Sequence, residues 1–179
     1  MINEQELLQI INGGESSKVQ FKERLPHPDS LAHEIIAFSN SHGGTIIFGV
    51  NDKTGALNGL SFDEIRQVNQ QAVNVASQKV YPPVYLTSDT VSVKGNQIVV
   101  VSVEEGISKP YKDSNGTIYV KYSNPVIRNN QIVLFASRTL PYSGLGSGLR
   151  RALAAQPDME LENDVEGEQF IVRFPRIKE

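Results

Sequence analysis

Apolar positions in this chain switch between two periods, and the switches mark its elements. From Glu4 to Ile11, Leu7, Leu8, Ile10 and Ile11 recur at helical spacing, and Gly13-Gly14 stops the run. From Glu15 to Glu23 the period becomes two. Val19 and Phe21 face one way and Lys18, Gln20 and Lys22 the other, as on a strand with one wet face. Pro26 and Pro28 break the chain. Helical spacing then returns from Asp29, a suitable N-cap, through Leu31, Ile35 and Phe38, with Ala32, Ile36 and Ser39 widening the stripe. Gly43 and Gly44 end that helix. Thr45 to Val50 is a continuous apolar run, which predicts a strand buried on both faces, and Asn51 to Gly55 predicts a polar turn.

The second half follows the same logic. Phe62 to Lys79 predicts a long helix with Phe62, Ile65, Val68, Ala72, Val75 and Ala76 inward, and Ser61 with Glu64 forms a capping box. Pro82-Pro83 closes it. Val84 to Val93 and Gln97 to Val103 predict a hairpin turning at Lys94-Gly95-Asn96. A loop begins at Ser108, and Asn115-Gly116 marks a turn before a strand over Thr117 to Tyr122. A short helix is predicted over Asn129 to Ser137. The small-residue stretch Pro141 to Gly148 marks a boundary, followed by a helix over Leu149 to Ala155 and a strand over Gln169 to Phe174. The order is mixed, not strictly alternating. It predicts an α/β (α+β) domain over residues 1–139, a mixed β-sheet with flanking helices, and a linker with a helix–strand tail over 140–179.

Composition narrows the class. The 179 residues, 39% hydrophobic and 21% charged, suit a globular chain. There is no cysteine, which excludes disulfides, thiolate metal sites and a cysteine nucleophile. No secretory leader and no apolar run of membrane-spanning length is visible, so a cytoplasmic protein is expected. The net charge is -3, but Asp158, Glu160, Glu162, Asp164, Glu166 and Glu168 crowd the tail. The remainder is slightly basic and leaves room for a local positive face.

The segments ESSKVQFKE, AFSNSHGGTIIFGVNDKTGALNGL, SKPY and GTIYVKYSN together carry a resemblance. They resemble the Schlafen AlbA_2 family, formerly described as divergent AAA and found in many prokaryotic candidate transcriptional regulators. The resemblance covers Glu15 to Ser137 and implies a mixed sheet with flanking helices and a nucleic-acid partner, DNA or RNA. In animal Schlafens a similar acidic triad forms a metal-dependent RNase site. That triad falls here on Glu15, Gln20 and Asp52, which makes these three the candidate catalytic residues and Glu15 and Asp52 the candidate ligands of Mg²⁺ or Mn²⁺. Gln20 departs from the pattern, because an amide brings no charge to a hard cation. The expectation is therefore a nucleic-acid-binding regulatory module, with a metal-dependent RNase or phosphodiesterase as the alternative and a nucleotide-sensing or protein-interaction domain behind it.

Lys22, in the family's FK pair, heads the candidate phosphate contacts, with Lys53, Lys109, Lys121 and Arg128; Tyr111 is the candidate base-stacking residue. The stretch YSGLGSGLRRALAA resembles the end of longer relatives that carry a histidine-kinase-type ATPase-like domain, but the roughly 40 residues after the first domain are too few for an ATP site. Exposed strand edges make a homodimer plausible.

Overall fold

The computed structural model describes residues 2–121, 157–164 and 169–173; the expected helices at Asn129 to Ser137 and Leu149 to Ala155, and Arg128, lie outside them. The elements are α1 (Glu4–Gly13), β1 (Val19–Lys22), α2 (Pro28–Asn40), β2 (Gly44–Phe48), α3 (Phe62–Gln78), β3 (Leu86–Val93), β4 (Asn96–Val103), β5 (Ile118–Lys121), β6 (Glu160–Asp164) and β7 (Gln169–Arg173). They form the mixed α+β fold expected. One sheet has the order β1-β2-β4-β3 and the other β5-β7-β6. β1 runs parallel to β2, and β2–β4 and β3–β4 are antiparallel.

Helix α2 is the centre of the molecule. Its residues from Leu31 to Asn40 are buried except for His33, which is intermediate. It packs on the four-stranded sheet through Ile46, Phe48, Val99, Val101 and Val103, and its cluster also takes in Tyr111, Tyr119 of β5 and Ile171 of β7. A second cluster fills the opposite face of that sheet, where Leu7 and Ile11 of α1 meet Phe21, Ile47, Ile98 and Val100. β2 is thus buried on both faces, as its apolar run requires, and side chains of alternate parity serve the two clusters.

Several boundaries differ from expectation. The N-cap of α2 is His27, whose ring accepts from the Asp29 amide at 3.3 Å, with Pro28 in the first turn. Asp29 sits inside that turn, and its carboxylate takes Lys79 Nζ at 2.7 Å. β1 is shorter than the alternation suggests, because Glu15 to Lys18 fold into a turn closed by the Ser16–Val19 bridge. Phe62, expected inward, is 74% exposed at the first turn of α3. The acidic stretch at Glu160 is a strand, and β7 pairs with both it and β5.

The Gly43-Gly44 pair has two separate causes. Gly43 adopts φ +70°, and a Cβ there would lie 2.7 Å from the Val103 carbonyl oxygen. A Cβ on Gly44 would enter the Phe38 ring. The chain must therefore be bare at both positions to turn from α2 straight into the central strand.

Candidate functional site

The residues singled out around β1 do come together. Phe21 faces α1, so by alternation Gln20 and Lys22 project to the other face, toward α2 and β5. The carbonyls of Lys18 and Lys22 accept from Thr45 and Gly49 at 2.8 Å, which turns the amides of Val19 and Phe21 away from β2. Glu15 serves that outer edge: its Oε1 accepts from the Phe21 amide at 2.7 Å and from Gln20 Nε2. Burial raises the Glu15 carboxyl above its usual range; the Phe21 amide, Lys22 and Lys121 pull it back, and Asp52 adds to the rise.

Gln20 passes the contact inward. Its Oε1 accepts from Lys121 Nζ at 2.7 Å, and the Lys121 side chain is only 1% exposed. Lys121 Nζ lies 2.9 Å from Glu34 Oε2, an ionic contact that lacks hydrogen-bond geometry, and 5.4 Å from the centre of the Phe38 ring. Glu34 Oε1 meets Lys22 Nζ at 3.6 Å, with 24% of the Lys22 side chain exposed. The result is a chain of groups, Glu15–Gln20–Lys121–Glu34–Lys22, that ties the edge strand to α2 and β5.

Glu34 is the member that sequence reasoning misses. It has a signal: it stands three residues after Leu31 and four before Phe38, so it falls on the buried stripe of α2. A carboxylate at such a position needs a cation, and Lys121 and Lys22 supply it.

The remaining candidates take different places. Asp52 and Lys53 are exposed on the turn after β2, which is organised by Asn51: its Oδ1 accepts from the Lys53 and Thr54 amides, and its Nδ2 donates to Glu23 at 2.7 Å. Lys109 is 12% exposed; it donates to the Ser41 carbonyl and to Glu105 Oε1, both at 2.7 Å, and so holds the end of α2. Tyr111 is a core residue, 4% exposed, with its hydroxyl accepting from the Ser108 amide at 3.2 Å. Its ring is closed off by the chain at Gly106, so it presents no face for stacking. Lys121 is likewise an interior cation and not part of a surface. Lys109, Tyr111 and Lys121 are expected from the sequence on a binding face; each is instead engaged in holding α2 to the strands beside it. Asn40 completes that attachment, donating from Nδ2 to the Tyr111 and Tyr119 carbonyls at 2.7 and 2.9 Å and accepting from the Tyr111 amide at 2.7 Å.

The site does not fit a divalent ion well. Among the described residues no three acidic or histidine side chains converge closely enough to hold a metal. Gln20 Oε1 already faces an ammonium at 2.7 Å. An ion bound to that oxygen at about 2.1 Å would lie within about 5 Å of Lys121 Nζ, a repulsion of about 7 kcal/mol at an effective dielectric near 20, which Glu34 would offset in part.

A mixed four-stranded sheet with flanking helices matches an AlbA_2-like fold. A model of the family described as Schlafen, AlbA_2 matches residues 15–128. The chain belongs to that family. The solution structure of the N-terminal domain of a RecG-related protein from Nitrosomonas europaea, described as a candidate ATP-dependent DNA helicase, has a TM-score of 0.50 at 22% identity, over 64% of this chain and 82% of that one. A protein from Corynebacterium diphtheriae has a TM-score of 0.48 at 18% identity, over 76% of this chain and 28% of that one, so the match spans under a third of its length. No curated protein matches. Among the described residues no helix is long and apolar enough to cross a membrane.

Proposed function

We propose that this chain is a nucleic-acid-binding regulatory module, which takes phosphate at the carboxyl ends of β1 and β2. The observation that carries the reading is Lys22. It is the last residue of a strand in a parallel pair, its backbone is held by pairing with Phe48, and its side chain remains 24% exposed beside one buried carboxylate. Crevices outside the carboxyl ends of parallel strands are favoured ligand sites. Exposed Lys53, on the turn after β2, adds positive charge at that end. Family membership and the helicase-related description of the Nitrosomonas relative support a nucleic-acid ligand.

The test is a fluorescence-anisotropy titration of single-stranded DNA, duplex DNA and structured RNA at two salt concentrations, with strand length read from the same samples. Binding that weakens with salt, and weakens at least about tenfold in Lys22→Glu, is expected. Absence of binding to all three ligands overturns the reading. Strand shortening lost in Asp52→Ala would make the protein a nuclease instead.

A further inference from the structure

We propose that Lys121 is the resident cation of this site and that the site works without a divalent ion. The resemblance to animal Schlafens implies a metal held by the residues at positions 15, 20 and 52. The hydrogen bonding here engages the residues at positions 15 and 20. Gln20 uses its Nε2 on Glu15 and its Oε1 on Lys121, so the amide oxygen that would face an ion already faces a fixed ammonium. Glu15 Oε1 accepts twice, once from a backbone amide that the strand edge cannot otherwise satisfy. Lys121 Nζ is fixed between Gln20 Oε1 at 2.7 Å and Glu34 Oε2 at 2.9 Å, at a point where its side chain is 1% exposed. A side-chain ammonium thus supplies the positive charge next to the second ligand position, and it cannot exchange with solvent as a metal can. Lys121 is a positioning residue: it holds Gln20, Gln20 holds Glu15, and Lys22 is left as the cation that faces outward.

The experiment is a titration of Mn²⁺ alone into the full chain, followed by the electron paramagnetic resonance signal of the free ion. It uses no nucleic acid, so it answers even for a chain that binds none. The expected result is no uptake, or uptake unchanged by Glu15→Gln and Asp52→Asn, which places any bound ion elsewhere. One Mn²⁺ per chain that disappears in Asp52→Asn overturns the proposal. Gln20→Glu alone, which keeps Lys121, is expected to gain no site; Gln20→Glu together with Lys121→Met is expected to gain one that Asp52→Asn removes. A site gained by Gln20→Glu alone would overturn the role given to Lys121, as would a folded double variant that gains none. If the double variant does not fold, the wild-type and Gln20→Glu titrations decide.

Discussion

Replacing Lys121 by Met tests the interior ion pair directly. Met keeps an unbranched side chain in the same place and deletes the charge that lies over the Phe38 ring. What remains is Glu34, whose side chain is 10% exposed, with Lys22 Nζ at 3.6 Å in place of two cations. Removing one member of a buried pair costs about 3–5 kcal/mol, because the other charge is left without compensation. Lys22 stays, so the low end applies, and a loss of about 3 kcal/mol is expected from urea unfolding at neutral pH. Gln20 Oε1 also loses its donor, a further loss within that range. The second variant, Lys121→Met with Glu34→Leu, removes both charges and should return to within about 1 kcal/mol of wild type, since apolar replacement of a buried pair is often neutral. A loss below about 1 kcal/mol in the single variant, or a double variant no more stable than the single, would refute the pairing as the main constraint on Glu34.

Other parts of the site give their own predictions. Asn40→Ala removes three hydrogen bonds between α2 and the β5 region and strands the Tyr111 amide, so a loss of about 3 kcal/mol is expected in the same unfolding assay. Glu105 is held down to about 2 by Lys109 and then His42. Its folded value is below its unfolded one, so the stability it contributes is complete above the usual carboxylate range and is lost as pH falls toward 2. The stability difference between wild type and Glu105→Gln should therefore shrink over that interval; its side chain is 43% exposed, so the difference will be small and salt-sensitive. Tyr119 is pushed up to about 12 by burial and by Asp113, and its ring stacks on His33 at 4.1 Å. Ultraviolet titration should show a tyrosine step near pH 12, and that step should vanish in Tyr119→Phe.

Much of this architecture is legible in the sequence, because periodicity reports burial. The apolar run from Thr45 to Val50 marks the doubly buried central strand, and the capping box at Ser61 and Glu64 fixes the start of α3. What periodicity cannot report is partnership at long range. Lys121 lies 101 residues from Gln20, and nothing local distinguishes it from a surface lysine. Glu15 reads as a strand residue, yet the turn at Ser16 folds it back onto the edge it precedes. Tyr111 and Lys109 look available because they sit in a loop, but that loop closes over the end of α2 through Asn40 and Ser41. The strand at Glu160 is hidden by its charge, since acidic residues are tolerated on a strand whose partner carries Arg173.

The proposed phosphate contact of Lys22 makes this residue contribute to the salt dependence of binding. The most direct measurement is the slope of log K against log salt for nucleic-acid binding, compared between wild type and Lys22→Gln in the presence of a chelator. Each phosphate contact contributes about 0.7–0.9 to that slope. The slope is predicted to fall by the share of a single contact in Lys22→Gln while binding persists. An identical slope in the two proteins would contradict the claim and move the ligand away from this edge of the sheet.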